Sequence, residues 1–292
     1  AQEFNSSYGK LVALATPSFI LFGGMALPFG WLGDRWGRHT LITVFFIGIG
    51  ISSIFTGFAE NYWQIAAGLS AIGIFAAIYH PVGIPMLVQG ISKPGRLLGV
   101  NGVFGNMGVA AAPLLVGILV SVENWRWAFF GPGLISVVLG LLFWRFVKKD
   151  TLVHNLSNTK KTMEDPFIPG WKHVLLVIAA VALIGGLIFN STTISLPKLF
   201  EERLDLVSSK VWDFTLMASL VYAIASMAQI IAGFAVDRFP AKALMVSLVG
   251  TQCFIFLLIA LSDGYLLFGL SLLGMCFVFG QIPITDTILS RY

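Results

Sequence analysis

Nine stretches of this chain contain no Asp, Glu, Lys or Arg, and each is 18 to 32 residues long. They are 11–33, 40–59, 61–92, 97–122, 127–144, 173–197, 214–236, 243–262 and 264–285, and they cover 209 of the 292 residues. A helix needs about 20 apolar residues to cross about 30 Å of hydrocarbon. Inside hydrocarbon the backbone must satisfy its own hydrogen bonds, so each stretch is expected to be a helix. The alternating pattern of a membrane barrel is absent. Charged residues make up 11% of the chain, against about 25% in an ordinary soluble domain. That excludes a soluble enzyme and a disordered chain. Cys253 and Cys276 both lie in apolar runs, so they read as small fillers and not as a disulfide framework.

The connections give an orientation. Thirteen of the eighteen Lys and Arg residues fall in one set of alternate connections, among them Arg35, Arg38, Arg96, Arg145, Lys160 and Arg238. By the positive-inside rule this set faces the cytoplasm. The net charge of +4 is thereby explained as topology, and no nucleic-acid partner is expected. All eight tryptophans lie in connections or within three residues of a run's end, as an interfacial aromatic belt requires. The run 61–92 is longer than a straight span needs and contains His80, Pro81 and Pro85, so a tilted or kinked helix is expected there.

Residues 148–172 form the main part of the one long polar connection and read as a cytoplasmic linker. It separates an N-terminal helical half, 1–147, from a C-terminal half, 173–292. The halves carry a repeat. Residues 30–38 read Gly-Trp-Leu-Gly-Asp-Arg-Trp-Gly-Arg, and residues 233–238 read Gly-Phe-Ala-Val-Asp-Arg. Aligning Gly30 with Gly233 and Asp34 with Asp237 gives one offset, 203, which carries the run 11–33 onto the run 214–236. Parallel repeats of this kind occur in transporters. At this offset three runs lack partners, so the expectation is a nine-helix fragment of a twelve-helix protein, lacking helix one and helices eleven and twelve.

These residues closely resemble the signature of the major facilitator superfamily, carried here by Gly30, Gly33, Asp34, Arg35, Gly37 and Arg38 with His39 at the last basic place. A weaker copy is carried by Gly233, Asp237 and Arg238, with Pro240 where the pattern has glycine. Within the superfamily the chain is similar to the fosmidomycin-resistance type of drug exporter, on Tyr79-His80-Pro81, Gly105-Asn106-x-Gly108, Pro113 and Trp125-Arg126. The resemblance implies an all-α membrane protein, a two-half helical bundle with a central site reached alternately from each side. It further implies a multi-pass protein of the bacterial inner membrane, working as a monomer on a small-molecule substrate and protons.

The signature residues are expected to form a cytoplasmic gate. Glycines let helix ends approach closely, and Asp34 can accept hydrogen bonds at a helix N-terminus, whose partial positive charge favours a carboxylate. The alternative is an ordinary basic loop. The resemblance also implies that helices four, seven and ten line the cavity: 61–92, 173–197 and 264–285. Their polar groups, Tyr79 with His80, Asn190 with Thr193, and Gln281, are the candidate substrate or proton residues, since polar groups at membrane depth usually face a cavity or another helix. His80 is the one titratable residue well inside a run, and an unperturbed pKa of about 6.5 suits proton exchange. Its other reading is a neutral residue hydrogen-bonded across helices, as that of Asn190 and its neighbours is helix packing.

No phosphate-binding Gly-Lys loop and no spaced metal ligands occur, so neither a cofactor nor an enzyme activity is expected. The expected function is secondary active transport, probed against three rivals: a proton-coupled importer in place of an exporter, a passive channel, and a non-transporting membrane scaffold.

Overall fold

A computed structural model describes residues 8–122, 124–147, 171–204 and 211–289. The described residues are almost entirely helical. In chain order the helices are α1 (Tyr8–Ala13), α2 (Thr16–Trp36), α3 (Arg38–Gly57), α4 (Tyr62–Ala76), a π-helical turn (Tyr79–Gly83), α5 (Ile84–Val88), α6 (Gly95–Val122), α7 (Trp127–Phe146), α8 (Trp171–Arg203), α9 (Val211–Val236), α10 (Ala241–Ala260) and α11 (Gly264–Leu289). Residues 148–170 of the expected linker lie outside the described residues; its last two, Trp171 and Lys172, already belong to α8.

Eight of these helices are long and apolar enough to cross a membrane, with Tyr62–Val88 counted as one span. The ninth expected span, 11–33, forms α1 and the 21-residue α2. Thr16, Pro17, Ser18 and its glycines lower the hydropathy of α2, which is not among the eight. The repeat is visible in the helix boundaries. Both α3 and α10 are 20 residues long, and their first and last residues differ by the same 203 positions as the sequence copies.

The chain divides into two compact units: residues 1–87 with 118–166, and residues 88–117 with 167–292. The division does not follow the halves read along the chain, because the stretch 88–117, which holds most of α6, groups with the later helices.

In the first unit α3 packs along α7. Glycine makes the approach possible: a Cβ on Gly50 would stand 2.6 Å from the Gly133 carbonyl oxygen, and one on Gly133 would stand 2.9 Å from that of Gly50. Two serines stitch the seam, Ser53 Oγ donating to Phe129 O at 2.8 Å and Ser136 Oγ donating to Phe46 O at 2.8 Å. Small residues and interhelical hydroxyl bonds are the usual means of association where lipid removes the hydrophobic driving force. The seam is closed at both ends. Arg126 donates from Nη1 to Gly57 O at 3.1 Å and to Ala59 O at 2.6 Å, covering the C-terminal end of α3. At the other end the His39 ring pairs its Nε2 with Val147 O at 2.9 Å, at the C-terminus of α7.

In the second unit the core is apolar and aromatic. Phe200, Leu204, Ala218, Val221, Tyr222, Leu267, Val278 and Phe279 are buried together between α8, α9 and α11. Arg203 Nη1 donates to Ala260 O at 3.0 Å, so the C-terminus of α10 is covered by an arginine just as that of α3 is.

Candidate functional site

The first signature lies on the α2–α3 connection. α2 runs through Asp34 and Arg35 to Trp36, Gly37 turns the chain at φ 87°, and α3 begins at once with Arg38. Only glycine adopts that φ without strain. Gly30 and Gly33 seat α2 against the π-helical turn: a Cβ on Gly30 would stand 3.3 Å from Pro81 Cβ, and one on Gly33 would stand 3.0 Å from Val82 Cγ2. Arg35 lays its guanidinium over Trp31, 3.8 Å from the ring centroid. Asp34 is exposed and makes no hydrogen bond or ion pair among the described residues. His39, which occupies the last basic place of the signature, is 3% exposed. It stacks on Phe143 at 5.0 Å and points into the unit, toward Val147.

The second copy differs, and the difference follows from one residue. Pro240 stands 203 positions after Gly37 and holds φ −59°. Its ring forbids a positive φ. α9 therefore ends earlier, at Val236, and a turn through 237–239 leads to α10. Asp237 is thus the first residue beyond its helix, where Asp34 lies inside one. Freed from the helix, the Asp237 carboxylate reaches the N-terminus of α6. Its Oδ1 accepts from the Gly95 amide at 3.0 Å and its Oδ2 from the Arg96 amide at 2.9 Å. Two of the four N–H groups that a helix leaves unpaired are satisfied by one charge, placed at the positive end of a 28-residue helix. Glycine permits the approach, since a Cβ on Gly233 would meet the Gly95 carbonyl, and one on Gly99 would stand 2.5 Å from the Gln229 carbonyl oxygen. Arg96 closes over Phe234, 5.1 Å from the ring centroid. Arg238 follows in the turn.

The candidate cavity residues fall into both compact units, and each group stands by itself. In the first, Pro81 interrupts the helix of run 61–92, and the backbone passes through a π turn at Tyr79–Gly83 before α5 resumes. Proline removes a ladder hydrogen bond and crowds the carbonyl four residues back, and a wider turn relieves both. The expected kink is therefore a π turn. His80 is exposed within it, edge-on to Tyr79 at 5.6 Å and to Phe22 at 6.1 Å. It makes no hydrogen bond among the described residues. In the second unit, Asn190 is exposed and donates from Nδ2 to Gly186 O on its own helix at 2.9 Å. Thr193 is half-buried, and its backbone carbonyl accepts from the Tyr222 hydroxyl at 2.8 Å. Gln281 is buried on α11 against Gly185 of α8, where a Cβ would stand 2.6 Å from its Nε2.

Sequence reasoning missed a buried polar face on α9. Ser219, Tyr222, Ser226 and Gln229 are all buried, at three- and four-residue spacing. That spacing is the signal that could have found them. Gln229 fills the notch at Gly102 of α6. Among the described residues its Oε1 and the Nδ2 of buried Asn106 have no partner. No cluster of three or more His, Cys, Asp and Glu occurs among the described residues.

Residues 1–292 match the pattern of the Major Facilitator Superfamily along their whole length. The chain belongs to this superfamily. Superfamily relatives include a puromycin resistance protein of Streptomyces alboniger, 28% identical over 134 residues, which are 45% of this chain and 26% of that protein. A multidrug resistance protein, MdtG of Yersinia enterocolitica, is 28% identical over 133 residues, 44% of this chain and 32% of that protein. A probable L-galactonate transporter of Escherichia coli is 24% identical over 142 residues, 48% of this chain and 31% of that protein. The aligned stretches thus span about a quarter to a third of these relatives' own lengths. Among solved structures, a bacterial homologue of the human lysosomal transporter Spinster, in an inward-facing and occupied conformation, shares the fold. It has a TM-score of 0.63 at 16% identity, over 97% of this chain and 66% of that one.

Proposed function

We propose that this superfamily member is a secondary active transporter that moves a small organic molecule by alternating access, coupled to protons and working mainly in export. Two halves, 1–147 and 173–292, rock about a central site, and the linker 148–172 joins them on the cytoplasmic side. Gly30, Gly33, Asp34, Arg35, Gly37 and Arg38, with Gly233, Asp237 and Arg238, form the gate. Tyr79, His80, Asn190, Thr193 and Gln281 serve the substrate or the proton.

The observation that carries this reading is the hold of Asp237 on the Gly95 and Arg96 amides. It joins a helix end to a loop more than 140 residues away through charge-assisted hydrogen bonds, which can break and re-form. A passive channel or a scaffold has no need of such a joint at a copied signature. Export is favoured over uptake because two of the relatives are named for resistance, one to puromycin and one to multiple drugs. Proton coupling rests on His80, a titratable side chain in a helix break that makes no hydrogen bond among the described residues.

The test is transport by the full-length protein in proteoliposomes, with an imposed proton gradient and a panel of organic substrates. Gradient-driven movement of at least one compound is expected, reduced in Asp237→Ala with membrane insertion intact. Equal, gradient-independent equilibration of all compounds would establish a channel instead.

A further inference from the structure

Pro197 lies inside α8, six residues before its end at Arg203. It has no N–H, so the carbonyl four residues back, that of Thr193, loses its helical donor. The replacement comes from the neighbouring helix: the Tyr222 hydroxyl donates to Thr193 O at 2.8 Å. Tyr222 is 1% exposed and packs its ring near Phe279, 6.3 Å between centroids, so it approaches the break from the core.

The turn before the break is loosened in a second way. Asn190 Nδ2 donates to Gly186 O at 2.9 Å, Thr192 Oγ1 to Ile188 O at 2.7 Å and Thr193 Oγ1 to Phe189 O at 2.7 Å. Side chains bonded back to the carbonyl four residues earlier compete with the ladder and bend helices. Residues 186–197 therefore combine three such competitors with a missing rung, and a hydrogen bond from outside the helix, that of the Tyr222 hydroxyl, fills the gap.

We propose that residues 186–197 are a hinge in α8 and that Tyr222 is the positioning residue that sets it. With its hydroxyl on the Thr193 carbonyl, the segment after Pro197 is held in register with the segment that carries Asn190. Without it, the two segments are held only by apolar packing, through Phe189 before the break and Leu196 and Phe200 after it. The consequence for substrate, a change in how Asn190 and Thr193 are presented, rests on the transporter reading above; the hinge itself does not.

The test is a double-mutant cycle of Tyr222→Phe and Pro197→Ala in the full chain, reconstituted in nanodiscs. Amide hydrogen exchange over residues 194–200 is read by mass spectrometry. Tyr222→Phe should speed exchange roughly three- to tenfold, the range for one lost hydrogen bond. In the Pro197→Ala background the new N–H takes the Thr193 carbonyl, and Tyr222→Phe should change nothing further. Unchanged exchange in Tyr222→Phe, or the same acceleration in both backgrounds, overturns the hinge. In proteoliposomes Tyr222→Phe should raise KM with little change in the maximal rate, and Pro197→Ala should restore KM. An unaltered KM beside altered exchange overturns the positioning role. If the wild type moves no substrate, the transporter reading fails, and the exchange cycle still decides the hinge.

Discussion

The Arg126 guanidinium donates to the carbonyl oxygen of Gly57 at 3.1 Å, although 69 residues separate them. It holds the last turn of α3 against the start of α7 and meets the last carbonyl of the helix, at Gly57, and that of Ala59 just beyond it. Hydrogen bonds made by a charged group contribute about 1.5–3 kcal/mol when partly buried. Arg126→Ala should therefore lower the thermal unfolding midpoint in detergent by several degrees, and Arg126→Lys should recover part of it. A midpoint equal to wild type would show that water serves these carbonyls as well.

The seam of α3 and α7 predicts a contrast between glycines. Gly50→Ala puts a methyl group 2.6 Å from a backbone oxygen that cannot move without parting the helices. Gly23, in α2, has nothing within 4 Å of the same position, and replacing a helical glycine by alanine stabilises by about 0.5–1 kcal/mol. Gly50→Ala should lower the yield of folded protein in fluorescence-detected size exclusion, while Gly23→Ala matches or exceeds wild type. Equal yields would mean that the seam can open at little cost.

The two aspartates of the repeat should not behave alike. Asp237 holds two amides of α6; Asp34 holds none among the described residues. Asp237→Ala should speed hydrogen exchange at Gly95 and Arg96, while Asp34→Ala leaves those amides unchanged. Capping residues of this kind contribute about 0.5–2 kcal/mol. Slow exchange persisting in Asp237→Ala would remove the contact from the account of the gate.

His80 is tested by acidity. If it carries the coupled proton, the pH dependence of transport between about pH 5 and 8 should flatten in His80→Ala, with insertion intact. Superimposable profiles would assign the proton elsewhere.

How much of this was legible beforehand depends on the physics involved. The membrane helices were, because hydrocarbon forces every backbone group into local pairing and leaves charge-free runs as its mark. The offset of 203 was, and α3 and α10 reproduce it to the residue. The π turn was not. A proline such as Pro81 signals a break, but how the break is resolved depends on packing against α2. A helical wheel drawn through 61–92 is therefore out of register beyond Tyr79, since a π turn takes an extra residue. His39 was read by its place in a pattern, and only the fold shows that Phe143 and Val147 claim it. Tyr222 carries no mark of its own in the sequence, since its role exists only beside Pro197 of another helix.

Pro240 has one more consequence. A pyrrolidine ring holds φ of Pro240 in a narrow range, whereas Gly37 at φ 87° sits in a conformation it can leave at small expense. The two copies of the signature are therefore unequal pivots. One copy has its turn angle set by a ring, and the other turns on a residue with no side chain to restrict it.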